Sequence, residues 1–108
     1  MAGLHDPEVI DLIAEQPDGS ALLVIIKEGM WEASIDEPAL RAKLNSYAQF
    51  ALDGGLVSQY PHMDGRPVTI RVVSSGPPPP AVADTLKIAA ERLHPYRISV
   101  TAMLNPRL

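Results

Sequence analysis

One stretch, Leu40 to Pro61, constrains this chain more than any other. Within it Leu40, Leu44, Tyr47, Ala48 and Ala51 recur at i, i+4, i+7, i+8 and i+11. That spacing gathers them on one face of a 3.6-residue helix. Gly54-Gly55 follows and supplies the left-handed residue that commonly ends a helix. An apolar strap then closes on Tyr60-Pro61. A helix with a single apolar stripe must bury it against another layer, so the flanking segments are read for strands that could form one.

They supply four. Met1 to Pro7 reads as a loose lead-in, and Val9 to Glu15 as a first strand. Gln16-Pro17-Asp18-Gly19-Ser20 is a turn: proline presets φ and glycine takes positive φ at no steric cost. Ala21 to Glu28 is the second strand, paired antiparallel with the first. The periodicity is read as placing Ile10, Leu12, Ala14, Leu22, Val24 and Ile26 toward the helices. Gly29 to Ser34 is a loop carrying the only tryptophan, Trp31. The first helix is expected over about 36–53, capped by Ser34 or by Asp36. Leu56 to Pro67 reads as a loop, and Val68 to Val73 as a third strand with Val68, Ile70 and Val72 inward. Ser74 to Pro80 is a stiff connector. A second helix from Pro80 or Ala81 to His94 carries the stripe Val82, Leu86, Ala89, Ala90, Leu93, and Pro95 stops it. Arg97 to Leu104 is the fourth strand.

The order ββαβαβ predicts an α/β (α+β) two-layer sandwich: a four-stranded mixed sheet, strand order 1-2-3-4, with two helices on one face. At 108 residues the chain has the length of a single domain, 1–108. Hydrophobic residues make up 46% and charged residues 20%, which argues against disorder. With no cysteine, a thiol nucleophile, a disulfide framework and cysteine-based metal sites are all excluded. No apolar run approaches the ~20 residues of a membrane span, and the first residues lack the basic and apolar regions of a secretion signal. A net charge of −4 with scattered basic residues speaks against nucleic acid. The expectation is a cytoplasmic protein with no nucleic-acid or membrane partner.

Three blocks resemble a family of small bacterial proteins classed as a domain of unknown function. They are Asp6-Pro7-x-Val9-Ile10-Asp11-x-Ile13, then Lys43-Leu44-Asn45-Ser46-Tyr47-x-x-Phe50 with the following glycines and Tyr60-Pro61, and Gly65-Arg66-Pro67-Val68-x-Ile70-Arg71-Val72-Val73. The resemblance runs from Asp6 to about Leu104 and implies a bacterial, cytoplasmic, single-domain protein. It brings no activity and no catalytic residues.

Candidate chemistry is sparse. Asp11, Glu15 and Lys27 could converge across the hairpin as in metal-dependent nuclease sheets. However, Ile25 stands where such a site needs a second acid, so cross-strand ion pairs on a solvated face are the better reading. His5, His62 and His94 show no ligand spacing, so no metal or cofactor is expected. Tyr47 is read as core with its hydroxyl at the edge, and Trp31 as a plug for the end of the core or an anchor for a partner.

Two functional readings result. The first is a non-enzymatic interaction or regulatory module that forms a homodimer through the open face of the hairpin, using Val9, Ile13, Leu23 and Ile25. The second is a small-molecule-binding protein or enzyme with a site at the end of the sheet around Trp31, Tyr60, His62 and Ser75.

Overall fold

The computed structural model describes residues 10–107. Strands β1 (Leu12–Glu15) and β2 (Ala21–Lys27) form the expected hairpin, with Gly19 at φ 88° in its turn. Helix α1 (Ala33–Leu52) follows, then a short helix α2 (Gly55–Gln59) and a 3₁₀ turn (Pro61–Met63). Strand β3 (Val68–Ser74), helix α3 (Pro80–Leu93), a 3₁₀ turn (His94–Tyr96) and strand β4 (Ile98–Leu104) complete the order. The sheet runs β1-β2-β3-β4, antiparallel between β1 and β2 and parallel thereafter. This is the mixed two-layer sandwich that the pattern predicts.

Two local expectations are corrected. The first helix starts at Ala33, earlier than either candidate cap: Glu32 is its N-cap, and the Asp36 carboxylate accepts the Glu32 N–H at 2.7 Å. The strap after Gly54 is helical rather than a loop. Gly54 at φ 87° turns the chain, and Leu56 of α2 is buried in the core. Gly55 is a site of close approach, because an added Cβ would stand 2.6 Å from the Phe50 ring.

The larger correction concerns the hairpin. Leu23 and Ile25 are fully buried on the helix face, packed with Leu40, Leu44, Tyr47, Ile70 and Val72. Ile13 pairs with Leu23 and follows it to the same face, where it packs on the core. They cannot form an open apolar patch, and Val9 lies outside the described residues. The physical reason is that Ala21 to Ile26 is an unbroken apolar run. Alternation therefore cannot choose its phase, and the parallel register with β3 does. Leu23 aligns with Ile70 and Ile25 with Val72, and β3 itself alternates apolar with Thr69 and Arg71. The opposite face carries Leu12, Leu22, Val24 and Ile26 instead, with Leu12 half exposed, Leu22 and Ile26 partly buried and Val24 buried.

Candidate functional site

The phase of β2 has a polar consequence, because it turns Lys27 toward the helices as well. Two ion pairs then link the sheet to α1. Lys27 Nζ lies 3.4 Å from the Asp36 carboxylate and 5.8 Å from the centre of the Trp31 ring. Further along α1, Lys43 Nζ lies 3.0 Å from Asp11 Oδ1, and neither side chain exposes any surface. Asp36, Leu40, Lys43, Leu44 and Tyr47 all lie on the stripe that meets the sheet, so α1 presents two charges within its apolar face.

Asp11 and Tyr47 complete the arrangement where β1 ends. Pairing with β2 starts at Leu12↔Val24. Just before it, the Ile26 N–H donates to Asp11 Oδ2 at 2.9 Å instead of to a strand carbonyl. The Tyr47 hydroxyl accepts the Asp11 N–H at 2.9 Å and donates to the Val24 carbonyl at 2.8 Å. Burial, with a smaller contribution from the Asp11 charge, pushes the Tyr47 phenol well above its ordinary value. It stays protonated and serves as a hydrogen-bond bridge rather than a base. No buried side-chain nitrogen or oxygen lacks a partner among the described residues. Chemically this cluster locks β1 onto α1.

The four residues expected to share one site form two pairs at opposite ends of the sheet. At the carboxyl ends of the parallel strands, Trp31 Nε1 donates to the Gly76 carbonyl at 3.2 Å, and Ser75 Oγ donates to the Gly29 carbonyl at 3.2 Å. These bonds tie the two loops together, and Trp31 packs on the core as a plug. At the other end His62 stands edge-on to Tyr60 and 3.0 Å from Glu15, where Arg66 also reaches Glu15 at 3.3 Å. Asp11, Glu15 and Lys27 do not converge: each has its own partner, in α1 or in the segment after α2. The cross-strand pairing expected for them is likewise replaced by pairing across layers.

A separate groove of about 370 Å³ runs between α1 and α3, with Arg41, Asn45, Thr85 and Arg92 at its sides and Leu44 in its floor. Thr85 and Arg41 both bond Glu37 there, and Arg41 first, then Thr85, hold its carboxyl below the usual range. No group of three His, Asp or Glu side chains among the described residues is placed to hold a metal. No helix among them is long and apolar enough to cross a membrane.

Sequence reasoning missed the Asp11–Lys43 pair. The available signal was Lys43 itself, a charged residue between Leu40 and Tyr47 on an otherwise apolar stripe.

A family model described as a family of unknown function, DUF6572, matches residues 2–105. No curated protein and no solved structure matches the chain.

Proposed function

We propose, for a chain that belongs to DUF6572, that it acts as a non-enzymatic interaction module and works as a homodimer. The observation that carries this reading is the apolar surface that the described residues leave exposed on the sheet. The helices pack on one face, while the other face and the β4 end of the sheet keep Leu12, Met103 and Leu104 about half exposed. Contiguous exposed apolar surface marks protein contacts, Met103 and Leu104 are neighbours on β4, and two-fold dimers are the commonest oligomers. The engagement of His62, Lys27 and Ser75 in structural bonds supports a non-enzymatic role. Sedimentation equilibrium tests the proposal. A dimer at ~100 μM is expected, and a monomer at that concentration contradicts it.

The second reading, small-molecule binding, is favoured by one observation: the α1–α3 groove, with Arg41 and Arg92 flanking an apolar floor. A thermal-shift screen of small amphipathic anions checks it, since a ligand of the folded state raises the melting temperature by mass action. Arg92→Ala should abolish any shift found.

A further inference from the structure

We infer that the dimer contact is the outer edge of β4, which pairs antiparallel with β4 of a second copy and joins the two sheets into one. This rests on the self-association reading and names its surface and register.

The two edges of the sheet differ. β1 is four residues long, ends on Glu15, and is pinned at its start by Asp11, Lys43 and Tyr47. β4 is seven residues long, Ile98 to Leu104, and contains no charge, proline or glycine. Natural edges are usually shortened, charged or bent to prevent pairing. β1 has these protections and β4 lacks them.

The hydrogen bonds fix which groups of β4 face away from β3. Val68 N–H donates to the Arg97 carbonyl, and Asn105 N–H donates to the Ser74 carbonyl. In a parallel ladder with Val68 opposite Ile98, residues 97, 99, 101, 103 and 105 therefore bond toward β3. Ile98, Val100, Ala102 and Leu104 point both N–H and C=O away from the sheet. One two-fold register pairs all of them: Val100 opposite Ala102 of the second copy and Ile98, which is 2% exposed in the single chain and has to be uncovered, opposite Leu104, with Thr101 on the axis facing its own copy. No like charges meet in this register.

The helix layer leaves room for it. Val82 faces the sheet and Thr85 faces α1, so the opposite flank of α3 carries Ala83, Ala90 and the exposed Lys87. Ala83 and Ala90 are small where the second α3 would approach, and Lys87 is exposed and can extend into solvent. A face-to-face dimer fits less well, because Arg71 lies on the open face of the second central strand and would be buried there. Among the described residues it has no ion-pair partner.

The absence of cysteine makes the test clean. On the axis, a non-hydrogen-bonded antiparallel pair brings Cα atoms to about 4.5 Å, inside the range a disulfide spans. Under mild oxidation Thr101→Cys should cross-link to a covalent dimer at least tenfold faster than Met103→Cys, whose self-distance in this register is several residues longer. Ala102→Pro removes an outward N–H without breaking the β3 ladder. It should give a folded protein, checked by circular dichroism, that sediments as a monomer. If wild type is a dimer but Thr101→Cys cross-links no faster than Met103→Cys, or folded Ala102→Pro still dimerises, the edge contact is wrong while self-association stands. A wild-type monomer overturns both.

Discussion

Lys43 and Asp11, thirty-two residues apart, meet at 3.0 Å with no side-chain surface exposed. Removing one member leaves the other charge buried without its partner, which typically costs about 3–5 kcal/mol. Lys43→Met should lower the unfolding free energy obtained from urea denaturation by that amount. Asp11→Asn in the same chain should recover a substantial part, because the amide oxygen can still accept the Ile26 N–H. A double-mutant cycle measures the coupling.

Tyr47 adds a pH dependence. Its folded-state phenol titrates above the ordinary value of 10.0 because it is buried, so the unfolded chain loses that proton first as pH rises. The stability Tyr47 contributes is complete below pH ~10 and falls above it, by up to about 1.4 kcal/mol per pH unit until the folded-state phenol itself titrates. Tyr47→Phe should be about 1–3 kcal/mol less stable at neutral pH, through the lost bridge to Asp11 and Val24. The gap between the two proteins should narrow in denaturation measured between pH 10 and 11.5.

The phase of β2 is checked by two truncations. Leu23→Ala should cost ~2–5 kcal/mol, because Leu23 is fully buried. Leu12→Ala, on the opposite face and half exposed, should cost well under half of that. Chemical denaturation of both decides, and equal losses would contradict the register.

Gly55→Ala places a methyl group 2.6 Å from the Phe50 ring and 3.2 Å from the Phe50 carbonyl. Overpacking of this kind costs about 1–3 kcal/mol. Phe50→Leu should restore part of the loss in the double variant, measured by thermal unfolding.

The fold was legible wherever the pattern had contrast. Val68 to Val73 alternates with Thr69 and Arg71, the α1 stripe is framed by polar residues, and Pro17 and Gly19 mark the hairpin turn. All three are found in place. The pattern failed where contrast was missing. Ala21 to Ile26 is apolar throughout, so its facing is a tertiary property set by pairing with β3. The grouping of Trp31, Ser75, Tyr60 and His62 failed for a related reason. Loops that alternate along the chain fall at alternate ends of a parallel sheet, and the residues following β2 and β3 share one end while those preceding β3 lie at the other. The Asp11–Lys43 pair joins two charges far apart in sequence: Lys43 stands out on the α1 stripe, but Asp11 alone reads as surface, so the partner was not legible.

Hydrogen exchange on the wild-type protein tests the edge pairing most directly. The amides of Val100, Ala102 and Leu104 point outward from the β3–β4 ladder on residues that are not buried. They should exchange fast in dilute solution and become protected at ~100 μM, while Ser99, Thr101 and Met103 are protected at both concentrations. Amides of Val100 and Ala102 that remain fast at the higher concentration would contradict the account.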